Sequence, residues 1–452
     1  MKIERIYASS VAKLDSNVYT GGGTDDTVAL QAVLDKAKDE QVGVYLIMDG
    51  AALVSHLDLY SNTTIECLNK DCGFFQKAQS NNSVVGSANQ DRYSLNVRNI
   101  TLLGGTYNQD CLNQEHDIPS DEIFVASARG GYQAKYRKFM FGMEFYGIEN
   151  LLVRDVTIRN FRTYAFAVGG FRNVTIENVW LDLPDHRDGQ NQDGFHFWGP
   201  GRFLTVRNVG GRVGDDFMNL GPDERDKISS ITDVLIDGVF LDYADQSIRM
   251  LTRDKGRLDR VTVRNVSGTY RSYGFYINPW FADDCVGNFG NIFIENVDLQ
   301  ALVPNYNYRP ACLFSAGGNI ESLTMKNIRH HNSCDNRQLF ELGVPFCGDP
   351  NRDHEGLAFG VKQKIPHIAI EDLTIIEQEN DPDDTEYIGV YAEIDNLVLR
   401  NITVLKNQPE ENGCLLNFGE HGRVNTLITN QIHTKGLKAV ISEPEKIGEH
   451  LK

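Results

Sequence analysis

The chain has 452 residues, 41% of them hydrophobic, and a formal net charge of -18 at neutral pH. That apolar content can bury a large core, so the length allows one elongated domain or two to three compact ones and argues against disorder. The acidic balance excludes nucleic-acid backbones and anionic membranes as partners, because both would be repelled at long range.

The opening "MKIERIYASSVAKLD" lacks a continuous apolar stretch of signal-peptide length. No run of roughly 18 apolar residues occurs further on. The chain as it stands is therefore expected to be soluble and cytoplasmic, or secreted or periplasmic if a leader has been trimmed from it. Next, "TDDTVALQAVLDKAKDE" (24–40) sets a Thr/Asp start before Val28, Leu30, Ala32, Val33, Leu34 and Ala37. This predicts a helix that caps the N-terminal end of the fold.

Beyond the helix the chain carries a repeat: apolar, any, apolar, polar, then Asn, Asp or Gly, then apolar. It reads "LNVRNI" (95–100), "LLVRDV" (151–156), "VTIENV" (174–179), "LTVRNV" (204–209), "VLIDGV" (234–239), "VTVRNV" (261–266), "IFIENV" (292–297), "LTMKNI" (323–328), "IAIEDL" (368–373) and "LVLRNI" (397–402). From the second copy the steps are 23, 30, 30, 27, 31, 31, 45 and 29 residues, the self-similarity of a solenoid. Period-two alternation with β-branched residues makes each unit a strand, and the Asn near its end suits a tight turn with stacking between coils. Helical repeats are excluded, since the i, i+3, i+4 spacing is missing. The predicted fold is all-β, a parallel β-helix of about ten coils with an N-terminal capping helix. It is expected to be a single domain over 1–452, with a cap region at 1–60, coils over 61–435 and a C-terminal tail at 436–452.

Two long interruptions, 108–140 and 331–363, are candidates for the walls of a cleft. The eight cysteines include no CxxC pair and are read as scattered buried thiols, with a Cys334–Cys347 disulfide as the lesser reading. The "DPDD" run at 381–384 reads as a solvated acidic loop rather than a calcium site, and no metal or cofactor is expected.

A second strand on each coil can be registered by its inward apolar pairs: Phe195/Phe197, Met218/Leu220, Ile248/Met250 and Phe275/Ile277. The residues between each pair then form an exposed outward ladder of His196, Asn219, Arg249 and Tyr276. Two positions before each pair stand Asp193, Asp216, Gln246 and Tyr273, with Asp215 adjoining. Three acids thus converge on one outer face. Like charges this close raise one another's pKa, so one carboxyl can stay protonated while another stays ionised. Glycoside hydrolysis needs that pair of states, a proton for the leaving oxygen and a base for water. His196 reads as a sugar contact, and Trp198 and Trp280 either stack on sugar rings or pack under loops.

At "NQDG" (191–194) and "GDDF" (214–217) the sequence resembles the polygalacturonase-type glycoside hydrolases of family 28, right-handed parallel β-helices with an Asn-x-Asp motif and, one coil later, Gly-Asp-Asp. The opening "GGGTDDTVALQAVLDKA" is similar to the N-terminal cap of pectin-degrading β-helix proteins. The resemblance implies Asp215 as general acid, Asp193 and Asp216 as the pair that holds and deprotonates water, and inversion at the anomeric carbon. Asn191, His196, Asn219, Gln246, Arg249, Tyr276, Asn278, Trp198 and Trp280 are the candidate carbohydrate-binding residues around them.

Two departures bear on substrate. The family's Gly-His-Gly corresponds to "DQSIRML", and its uronate-gripping Arg-Ile-Lys corresponds to Tyr276, Ile277 and Asn278. Both cations of that motif are gone, which points away from plain polygalacturonate. A polysaccharide lyase or uronate epimerase on the same fold, and a non-catalytic glycan-binding β-helix, stand as alternatives. All three take a carbohydrate partner, and the oligomeric state cannot be read from the sequence.

Overall fold

The computed structural model describes residues 1–115, 140–184, 192–253, 255–280, 285–302, 311–332, 338–344, 362–377, 386–406 and 413–452. They fall into two compact units, the first ending at Asn219 and the second beginning at Leu220. Each is a stack of parallel strands in the manner of a β-helix, and the one α-helix among the described residues is short. No helix among them is long and apolar enough to cross a membrane.

In the first unit one ladder runs through Lys2–Tyr7, Val42–Met48, Thr63–Cys67, Val97–Leu103, Met143–Arg154, Phe166–Glu177 and Phe195–Arg212. A second runs through Ala51–Val54, Gly73–Gln76, Thr106–Asn108, Thr157–Arg159 and Trp180–Asp182. The second unit repeats the plan. Its longer ladder starts at Ile231–Tyr243 and Leu258–Tyr270 and ends at Arg423–Lys435 and Ile447–Leu451. Its shorter one starts at Gln246–Thr252 and Tyr273–Pro279 and ends at Cys414–Phe418 and Ala439–Ile441.

The sequence repeat maps onto these ladders residue for residue. Leu151, Val174 and Leu204 are neighbours in the first unit, and Val234, Val261, Ile292, Leu323, Ile368 and Leu397 are neighbours in the second. One copy is misplaced. Leu151 lies beside Ile100, so the counterpart of "LLVRDV" is "ITLLGG" (100–105) and not "LNVRNI" (95–100). Asn99 instead stands one residue ahead of the repeat, at a positive φ inside the strand Val97–Leu103, where Asn150 Nδ2 donates to its Oδ1 at 3.0 Å. A further copy, "LITNQI" (427–432), pairs with 397–402. Thr429 and Gln431 at the third and fifth positions conceal it in the sequence.

The expected stacking of Asn between coils is present, with Asn178 just past its strand and Asn265, Asn296, Asn327 and Asn401 at a left-handed kink within theirs rather than in a separate turn. All five have positive φ, a region that Asn tolerates better than other side chains. Their amides stack from coil to coil: Asn296 Nδ2 donates to Asn265 Oδ1 at 3.0 Å and Asn327 Nδ2 to Asn296 Oδ1 at 2.8 Å. Gly170 is required for a steric reason as well as by its φ of 69°. A Cβ there would collide with the Arg92 carbonyl.

The capping helix is shorter than the sequence pattern suggests, Thr27–Leu34 and then a 3-10 turn over Asp35–Lys38. Residues before it are held extended, because Asp25 bridges to Leu53 and the Asp26 N–H donates to the Leu53 carbonyl at 2.9 Å. The buried Asp26 carboxylate accepts from the Lys13 and Leu14 N–H groups at 2.8 and 2.9 Å rather than capping the helix.

Inward columns of aromatic rings fill both units, such as Phe145–Phe166 at 5.5 Å between centroids and Phe275–Phe314 at 4.6 Å. The six described cysteines are buried thiols, while Cys334 and Cys347 lie outside the described residues. In the second unit His330 joins the core between Leu299 and Ile375, hydrogen-bonded through Nε2 to the Tyr270 hydroxyl at 2.9 Å. Burial, helped by neighbouring His331, pushes its pKa from 6.5 down to about 3.

A depressed imidazole pKa means that the unfolded chain takes up a proton that the folded one refuses. The contribution of neutral His330 is therefore intact above pH 6.5 and lost as pH falls toward 3. We expect this residue to add about 1.4 kcal/mol of destabilisation per pH unit across that window. Urea unfolding of wild type and His330→Gln between pH 7 and 4 checks it, and the variant should show the shallower acid slope. Equal slopes would remove His330 as the cause.

Candidate active site

Two short segments of the first unit meet through their backbones. The Gly214 N–H donates to the Gln192 carbonyl at 3.0 Å and the Gly194 N–H to the Asp216 carbonyl at 2.8 Å. In a parallel ladder these bonds set Asp193 beside Asp216 and His196 beside Asn219. On the other side the Ala165 and Phe166 N–H groups donate to the carbonyls of Asp193 and Gly194 at 2.8 and 2.9 Å. Asp193 is thus fixed from both neighbouring segments.

The carboxylates of Asp193, Asp215 and Asp216 come together, each offering an oxygen within 4.8 Å of the others. Their exposures differ. Asp193 and Asp216 are buried, at 3% and 1% exposed, while Asp215, in the turn just before the strand Asp216–Gly221, is half-buried. Three carboxylates this close cannot all carry full charge cheaply, so the group favours holding a proton or a cation. Its oxygen ligands would suit a hard divalent ion as well as proton transfer.

The exposed outward ladder expected for His196 is not what the structure shows. The side chain does point away from the core, since Phe195 and Phe197 take the inward places, yet it is only 1% exposed. The reason is stacking. Its ring lies 4.2 Å from that of Tyr164 at 11° and 4.7 Å from that of Trp198. Its Nδ1 is 3.0 Å from Asp193 Oδ2. Trp198 is fully buried in an aromatic cluster with Phe141 and Tyr164, against which Tyr146 packs. Asn219 is buried too, and its Oδ1 has no hydrogen-bond partner among the described residues. Asn191 lies outside the described residues.

Tyr164 is a site residue that the sequence pattern did not single out. Phe166 pairs with Phe195 in the ladder, so extending the inward register one coil back would have set Tyr164 beside Asp193.

The other candidates belong to the second unit, where the expected register holds: Gln246 faces Tyr273 and Arg249 faces Tyr276. Here too the outward row is covered. Tyr276 and Asn278 are buried and Arg249 is half-buried, while Gln246, on the same side of its strand as inward Ile248, is buried as well. The Arg249 guanidinium sits over the Tyr276 ring at 5.5 Å, and Tyr273 meets Tyr276 edge-on at 4.8 Å. Asn278 Nδ2 donates to Ser315 O and Oγ, both at 3.1 Å, and Ser315 Oγ donates to Glu341 at 3.0 Å. Trp280 is buried with the Arg253 guanidinium over its ring at 4.7 Å.

No family model matches the chain. A curated relative, a polygalacturonase of Medicago sativa, is 26% identical over 160 residues, covering 34% of this chain and 35% of the relative. The chain resembles a polygalacturonase. The polygalacturonase-like match spans about a third of that relative's length. Among solved structures, a family 28 exopolygalacturonase of Yersinia enterocolitica superposes with a TM-score of 0.52 at 13% identity, over all of this chain and 78% of that one. The A-module of the Azotobacter vinelandii mannuronan C-5 epimerase AlgE4 gives 0.51 at 13% identity over 97% of each chain. A tailspike of Escherichia coli bacteriophage HK620, solved with a pentasaccharide, gives 0.54 at 10% identity over 93% of this chain and 75% of that one. At such identities what is shared is the fold, and the polygalacturonase-like chain is a right-handed parallel β-helix.

Proposed function

We propose that this polygalacturonase-like protein hydrolyses a glycosidic bond in a polysaccharide or oligosaccharide, with inversion. Asp215, the most accessible of the three acids, gives its proton to the leaving oxygen as the bond to the anomeric carbon breaks. Water held by Asp193 and Asp216 attacks that carbon from the opposite face and gives up its own proton to them. The supporting observation is the trio itself, three carboxylate oxygens within 4.8 Å of one another with two of the acids buried.

The short spacing favours a second reading. Ordinary inverting pairs stand roughly 6.5–9.5 Å apart and retaining pairs about 5–5.5 Å, so the distance by itself suits retention. A third carboxylate changes the geometry, since two acids can grip water between them while the third protonates from the side. Inversion is the outcome we expect. The substrate is expected to be neutral, or acidic in a form other than plain polygalacturonate, because Tyr276 and Asn278 stand where the resemblance would require cations. Asn278 also spends its amide hydrogens on Ser315. Proton NMR of the first product released from a panel of glycans tests both points. The new anomeric signal should have the configuration opposite to the substrate's, and unmodified polygalacturonate should release no galacturonate at a useful rate. A first-formed anomer of retained configuration would put a covalent intermediate in place of direct attack by water.

A further inference from the structure

Within the acid cluster, His196 stands in hydrogen-bond contact with one named oxygen. With Asp193 ionised, and so an acceptor only, the 3.0 Å contact between His196 Nδ1 and Asp193 Oδ2 places the hydrogen on Nδ1. The ring has little freedom to leave. It is 1% exposed and stacked almost parallel on Tyr164 at 4.2 Å, with Trp198 on its flank. Backbone bonds from Ala165 and Phe166 hold the Asp193 segment itself. Oδ2 is thereby engaged by the imidazole. Among the described residues, Asp193 from its own segment and Tyr164 from the one before meet the ring, and Asp215 and Asp216 from the next segment lie against the Asp193 carboxylate.

We infer that His196 is the positioning residue of this site: it fixes the Asp193 carboxylate by the Nδ1–H bond and keeps it the ionised member of the trio. The proton that three close carboxylates retain is thereby directed to the others, where Asp215 can spend it on a leaving group. A histidine read from sequence as a sugar contact acts instead on the base. The catalytic part of this inference rests on the hydrolase reading above, whereas the Nδ1–H bond does not.

Two substitutions separate the ring from its donor. His196→Phe keeps an aromatic plane for Tyr164 and removes the bond, and His196→Asn removes the plane but can place an amide N–H where Nδ1 stood. In His196→Phe we expect kcat to fall about tenfold to a hundredfold, the scale of misplacing a reacting group. KM should change little, and the acidic limb of the kcat/KM–pH profile should move to higher pH, because ionised Asp193 has lost its donor. In His196→Asn that limb should stay near its wild-type position. A raised KM with unchanged kcat and pH profile would make His196 a sugar contact and overturn the inference. Equal losses in both variants with no movement of the limb would make it packing alone and do the same. A long-range proton–nitrogen NMR spectrum of histidine-labelled wild type, with His196 assigned by its loss in His196→Asn, reads the bond without turnover. Nδ1 should be protonated, and an Nε2–H tautomer would overturn the inference. A protonated Nδ1 in a protein that hydrolyses no glycan would sink the hydrolase reading and the catalytic role with it, while leaving the bond standing.

Discussion

Replacing Asp215 by Asn should lower turnover of a glycan with a poor leaving group by about 10²- to 10⁴-fold, the usual contribution of a positioned general acid. The amide is nearly isosteric with the carboxyl, so the fold and the neighbouring carboxylates should stay in place and only the proton is lost. Asp215 is half-buried in a turn whereas Asp193, two residues ahead of the strand Phe195–Arg212, and Asp216, the first residue of the next strand, are both buried, which makes Asp215 the acid that can reach a bond entering from outside. The loss should depend on the leaving group. An activated aryl glycoside departs with little protonation, so its hydrolysis should fall far less. A decrease under about tenfold on the poor-leaving-group substrate would remove Asp215 from the role.

Asp193→Asn or Asp216→Asn should behave differently, with a comparable loss for both kinds of substrate. Water still has to attack whatever group departs, and these two carboxylates are proposed to hold and deprotonate it. The effect is expected to reach about 10²- to 10⁴-fold as well. Steady-state rates on matched natural and aryl glycosides distinguish the roles. A loss confined to the natural substrate in either variant would exchange the assignment with that of Asp215.

Much of this is legible in the sequence because a β-helix writes its geometry along the chain. Side chains alternate with period two, so Phe195 and Phe197 disclose which way His196 points, and the coil-to-coil register comes from aligning such pairs. The stacked Asn positions are equally readable, because few other side chains accept positive φ and also stack amide on amide. Burial is not legible. An outward direction suggests exposure, yet His196, Asn219 and Tyr276 are covered, since period two says nothing about what packs against the outer face. The misplaced copy at 95–100 has a similar origin, because a stacked Asn of positive φ also occurs one residue ahead of the repeat, as at Asn99 and Asn150. The helix start is obscured because Asp25 and Asp26 both look like caps in sequence, while only the Asp25 carboxylate bonds the helix end, accepting from the Thr27 N–H, and the Asp26 carboxylate is claimed by the Lys13 and Leu14 backbone. Substrate identity is least legible. The interruptions at 108–140 and 331–363 expected to wall a cleft fall largely outside the described residues, as does the acidic loop at 381–384.

Hydrolysis of a glycosidic bond by the three clustered aspartates is tested most directly by reducing-end release from a panel of plant and microbial glycans, with wild type and Asp215→Asn side by side. Wild type should give new reducing ends from at least one glycan, without ultraviolet-absorbing unsaturated product, and the variant should nearly lose them. Tight binding with no turnover, or unsaturated ends that Asp215→Asn releases as fast as wild type, would contradict that role for the trio.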